Sequence, residues 1–135
     1  MSTRGVLIVR GKRKAPEYYY VRSDADMYPE FERGISGRTP KEYVNRVNRR
    51  VLKSVEGYEF SPDLIRPMDD IEAKNYVSSI SATPDHVYVV DLGKEKKEMH
   101  HYSPNPFCGP DEIYIPAYVK EDGTYVHGFC RKRKE

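Results

Sequence analysis

Both cysteines and three of the four histidines of this chain fall between His100 and Cys130. His101, Cys108, His127 and Cys130 together would make a two-His, two-Cys set, the kind of ligand group a tetrahedral zinc prefers. Gly109 and Gly128, beside the cysteine elements, permit the tight turns of a metal knuckle. The spacing is loose, with six residues between His101 and Cys108. His127 and Cys130, three apart, point to opposite faces of a regular strand unless Gly128 breaks it. A Cys108–Cys130 disulfide and two free thiols are the alternatives that spacing leaves open.

A second group of reactive residues gathers at the chain start. A small residue after Met1 favours removal of the initiator. Ser2 would then carry a free α-amino group able to act as base for its own hydroxyl. Glu17, Asp24 and Asp26 are the carboxylates that a hairpin would bring near it. The plainer reading is that Ser2-Thr3 begins a strand and that Asp24-Ala25-Asp26 is turn chemistry, which Asp favours.

The third group is cationic. Arg46, Arg49, Arg50 and Lys53 lie together on one side of an expected helix, where they would meet the phosphates of a nucleic acid. Lys12-Arg13-Lys14 and the Arg131–Lys134 run would extend that surface. Some of the 12 tyrosines would offer stacking platforms of the kind single-strand binders use. Against this, charge on the solvated side of an amphipathic helix needs no ligand to explain it. Several tyrosines must also fill the core, because the chain has no Trp.

Short strands and two helices must position these groups. Gly5–Arg10 and the Tyr-rich Glu17–Arg22 read as an antiparallel hairpin across a polar turn, with Tyr18 and Tyr20 on one face and Tyr19 and Val21 on the other. Pro29 and Gly34-Ile35-Ser36-Gly37 mark a loop with a helical turn around Phe31. Thr39-Pro40-Lys41-Glu42 then supplies an N-cap, a proline at the first helical position and a glutamate three residues after the cap. Tyr43, Val44, Val47 and Val51 fall in a stripe about 100° wide that must face a core, and Gly57 ends the helix. A second helix is expected from Asp70 to Ile80, capped by Asp69 or Asp70. His86–Leu92 and Glu98–Ser103 form another hairpin. Glu112–Ile115, Tyr118–Lys120 and Tyr125–Phe129 are short strands, the last two joined at Asp122-Gly123. This order predicts a single α+β domain over residues 1–130, a largely antiparallel sheet of hairpins with two helices packed on one face. Residues 131–135 are expected to be a frayed basic tail.

The Ser2-Thr3-Arg4-Gly5 start on a strand, the Asp26-Met27-Tyr28-Pro29-Glu30 loop and the Val87–Leu92 hairpin strand carry a resemblance. They are similar to the corresponding segments of a group of small phage and archaeal-virus proteins of uncharacterised function. The likeness covers about half of the chain and implies a viral accessory protein.

Composition bounds the remaining choices. In 135 residues, 23 Lys and Arg stand against 21 Asp and Glu, so no strong net field would steer the whole molecule onto a polyanion. No apolar run approaches the ~18 residues of a membrane span. The start lacks the apolar stretch of a secretion signal, which makes an intracellular protein the expectation. The absence of Gln, only four Asn, ten Pro and abundant Tyr, Lys, Glu and Arg suit a protein of a hot environment. The expected function is non-catalytic binding of a macromolecular partner, protein or nucleic acid, with a homo-oligomer allowed. A hydrolase using Ser2 and a module with structural zinc are its rivals.

Overall fold

A computed structural model describes residues 3–12, 15–21, 25–54 and 65–133, with the backbone alone for 52–54. The Gly5–Arg10 strand (β1) and Glu17–Val21 (β2) form the expected antiparallel hairpin, Gly5 opposite Val21 and Val9 opposite Glu17. A 3-10 turn at Ala25–Met27 leads into a short helix, Tyr28–Glu32 (α1). The main helix, Pro40–Ser54 (α2), follows. The strand Ile65–Met68 (β3) pairs with β2, and the helix Asp70–Val77 (α3) comes next. His86–Asp91 (β4) and Glu98–Tyr102 (β5) make the second hairpin. The five strands run β3-β2-β1-β4-β5, antiparallel except for the central β1–β4 pair, which is parallel.

The α+β class and the largely antiparallel sheet are as the sequence predicts. The helices, however, do not share a face. Leu7, Val9, Tyr19, Val21, Tyr88 and Val90 face α2 through Tyr43, Val44 and Val47. Val6, Ile8, Tyr18, Val87 and Val89 face the other way, toward Ala73 and Val77 of α3. The physical reason lies in β1 and β4, whose apolar residues are continuous rather than alternating. Val6, Leu7, Ile8 and Val9 are all fully buried, a pattern that requires cover on both sides of the sheet.

Local chemistry fixes the helix starts. Thr39 Oγ1 accepts from the Glu42 amide at 3.2 Å, and Asp69 Oδ1 accepts from the Glu72 amide at 2.7 Å. Both satisfy amides that have no partner within the helix. The Glu42 carboxylate takes Arg46 as its partner, so the ion pair along the helix replaces the reciprocal half of a capping box.

The C-terminal third covers the α3 face. Tyr118–Val119 (β7) pairs with Tyr125–Val126 (β8) across Asp122-Gly123, where Gly123 has φ +87°. Such a backbone favours glycine. The strand expected to run on to Phe129 breaks at His127-Gly128, and a new strand, Phe129–Lys132 (β9), pairs with Glu112–Ile115 (β6). A Cβ at Gly128 would overlap the Tyr114 hydroxyl, so any other residue at the break would have to displace that ring. Arg131 and Lys132 are therefore strand residues opposite Ile113 and Glu112, and the Arg133 amide donates to Asp111 O at 2.8 Å. The expected frayed tail is paired at least this far; Lys134 and Glu135 lie outside the described residues. Among the described residues no helix is long and apolar enough to cross a membrane.

Candidate functional site

Arg46, Arg49 and Arg50 are exposed along the outer side of α2 while Tyr43, Val44 and Val47 are buried beneath it. Arg46 pairs with Glu42 at 2.6 Å and donates to Ser36 O at 2.9 Å. Arg50 donates to Phe31 O and to Arg33 O, tying the helix to the preceding loop. Arg49 is exposed and makes no ion pair or hydrogen bond among the described residues. The Lys53 side chain lies outside the described residues. Arg33, Arg38 and Lys41 are exposed beside them. Residues 28–54 hold 7 of the 23 Lys and Arg and only 3 of the 21 Asp and Glu, leaving 16 cations against 18 carboxylates elsewhere. One of those three, Glu32, is buried against Lys97. The near-neutral chain is thus electrically divided, with its positive part on and before α2.

Arginine suits such a surface. A guanidinium carries five donors, so Arg46 and Arg50 keep N–H groups for a ligand while their internal bonds hold them in place. That fixation lowers the entropy lost when an anion binds.

The His and Cys residues of the expected zinc set are not brought together. Cys108 and Cys130 form a disulfide, so neither sulfur is a thiolate. His101 Nε2 lies 2.8 Å from His86 Nδ1, and its ring stacks on Tyr88 with centroids 4.6 Å apart. Burial, and then the neighbouring His86, push the His101 imidazole below its ordinary pKa. His127 instead packs edge-on against Tyr102, 4.5 Å between centroids. Adjacent strand residues point to opposite faces, so His101 looks to the α2 side and Tyr102, with His127, to the α3 side. Among the described residues no three His, Cys, Asp or Glu could hold a metal ion together.

The chain start and the acidic loop do meet. Thr3 Oγ1 donates to Asp26 Oδ1 at 2.8 Å and accepts from the Asp26 amide at 3.1 Å. The Ala25 amide donates to Thr3 O. Ser2 and Asp24 lie outside the described residues. Glu17 does not join this group, because it stands opposite Val9 at the other end of the hairpin, roughly 13 Å away along four strand residues. There it accepts from the Tyr19 hydroxyl at 2.5 Å.

One cleft drew no notice from sequence, because its walls come from four separate stretches of chain. It lies on the α3 side of the sheet and is lined by Arg4, Tyr20, Arg66, Glu72, Asn75 and Tyr76, among others. Only the register of β2 against β3 brings Tyr20 beside Arg66, and no short-range spacing encodes that. The chain matches no protein-family model, and no curated protein or solved structure is significantly similar to it.

Proposed function

We propose that this protein is a non-catalytic nucleic-acid-binding module whose outer α2 face, with Arg46, Arg49, Arg50 and Lys53, takes the phosphate backbone. The observation that carries this reading is the segregation of charge: a +2 chain has its net positive charge on one helix and the loop before it, the remainder being net negative. Neutralising phosphates releases condensed counterions, so affinity built on such a surface depends steeply on salt. The resemblance to small viral proteins and the amide-poor, charge-rich composition support placing it as an accessory protein of a virus from a hot environment.

Fluorescence anisotropy on labelled single-stranded and duplex oligonucleotides across a salt series tests the reading. Arg49→Ser leaves every internal hydrogen bond in place and should reduce the magnitude of the log–log salt slope by roughly 0.7–0.9. Replacing Arg46, Arg49 and Arg50 together by Ser should reduce it by about 2–3, provided the melting temperature shows the loop still docked. No binding at low salt, or an unaltered slope in both variants, would sink the proposal.

A second reading, self-association, is favoured by Phe107 and Phe129, which are 87% and 55% exposed on either side of the disulfide. Sedimentation of the Phe107→Ser, Phe129→Ser double variant should then show a smaller species than the parent protein.

A further inference from the structure

On the sheet face opposite α2's packing side, a cleft of about 730 Å³ opens between β2, β3 and α3. That volume lies within the range of small-ligand sites, about 300–1,000 Å³. We propose that it binds a free mononucleotide, with the phosphate held by Arg4 and Arg66 and the base set against Tyr20 and Tyr76.

The arrangement follows from strand register. Tyr20 stands opposite Arg66 across β2–β3 and opposite Val6 across β1–β2. Arg4, two residues before Val6, shares its side of the sheet. A tyrosine is thereby flanked by cations reaching in from the strands on either side of it. Neither Arg4 nor Arg66 has an ion pair among the described residues, and both are exposed at the mouth. Asp85, on the cleft wall, accepts from the Arg4 amide through its Oδ2 at 2.9 Å and pairs with neither guanidinium. The two guanidiniums remain the groups able to fork onto phosphate oxygens.

The aromatic wall supplies the second half of the ligand. The Tyr20 and Tyr76 rings lie 5.7 Å apart at 44°, splayed rather than stacked, so a planar base can lie against them. Burial above all, and then the neighbouring Tyr20, push the Tyr76 phenol up to about 12, which keeps it a neutral hydroxyl. Asn75 offers an amide that can both donate and accept at a base edge. Glu72 also lines the cleft. With Asp85 it balances the two arginines, and that balance favours one phosphate over a chain of three. The site lies on the other side of the sheet from the proposed nucleic-acid surface and does not rest on it.

Calorimetric titration of the full chain with the four common mononucleotides, with inorganic phosphate and with nucleosides tests the inference. At least one mononucleotide should bind about tenfold or more tightly than phosphate or its own nucleoside, a difference of about 1.4 kcal/mol. Arg66→Ala, at an exposed position, should weaken it about tenfold, and Tyr76→Ala should do likewise. Arg49→Ser on α2 should leave it unchanged, which separates this site from the proposed nucleic-acid surface. Mononucleotide binding no tighter than millimolar, or a nucleoside equal to its nucleotide, would overturn the inference. So would an Arg66→Ala variant that folds and binds as before. A 5′-phosphorylated trinucleotide binding more tightly than any mononucleotide would assign the cleft to strand ends and overturn the free-nucleotide reading.

Discussion

Glu32 is a charged side chain buried in the core, 5% exposed, and Lys97 reaches in to answer it. Lys97 Nζ also donates to Ile35 O at 2.6 Å and to Glu32 O at 3.2 Å. Tyr43 donates to Glu32 Oε2 at 2.9 Å and shares a hydrogen bond with Tyr28 at 2.5 Å. One ammonium thus stitches the β4–β5 turn region to the loop before α2. Lys97→Ala would leave a carboxylate buried without its cation, and we expect a loss on the order of 3 kcal/mol in chemical denaturation. Replacing Glu32 by Gln as well should recover part of that loss, since the uncompensated charge then disappears. The His86–His101 contact gives a second expectation. The folded-state pKa of His101 lies below its ordinary 6.5, so the unfolded chain takes up the proton first. The stability this contributes is complete above pH 6.5 and is lost as pH falls through the folded pKa. Melting temperature should drop on acidification from pH 7 to 5, and His101→Phe should flatten that limb.

At the scale of elements, the disulfide binds the proline-rich segment before β6 to β9. It closes a loop with a sequence separation of 22, so opening it should destabilise the domain by something on the order of 3 kcal/mol. Reductant should lower the melting temperature, whereas a chelator should leave it where it was; the opposite pattern would restore a metal to the cysteines. The local elements were readable from the chain because local forces make them. Thr39 and Asp69 announce helix starts, and alternation in Glu17–Val21 assigns faces correctly. Ile65–Met68 escaped notice because Pro67 argues against a strand, yet a sheet edge tolerates a residue with no amide hydrogen. Arg131 and Lys132 looked like a tail because charge masked their pairing. The cationic helix face was legible, since α2's periodicity alone sets it. The Arg4–Arg66 cleft was not, because pairings between distant strands create it.

Across the whole molecule, tyrosine replaces tryptophan as the bulky core residue, and this sets a limit in alkali. Burial pushes the Tyr28 and Tyr43 phenols far above their ordinary value of 10, and Tyr88 and Tyr125 up to about 12. A group whose folded pKa is raised contributes stability that is complete below its unfolded pKa and is lost as pH rises through the folded one. Stability should therefore decline from about pH 10 toward 12, and the buried phenols should ionise in one step with loss of fold. Tyrosinate absorbance followed alongside circular dichroism checks this; buried phenols titrating while the fold persists would contradict it. The parallel seam between β1 and β4 has a different bearing, on synthesis. Val6–Val9 leave the ribosome well before the strand that seals their second edge, which emerges about 80 residues later. At ~5–20 residues per second, that apolar edge stays open for roughly 4–16 seconds. In that interval the β1–β2 hairpin is half a sheet, able to pair with another nascent chain. Early protection of this edge, by a chaperone or by spacing between ribosomes, would therefore govern how much of the protein a cell recovers in folded form.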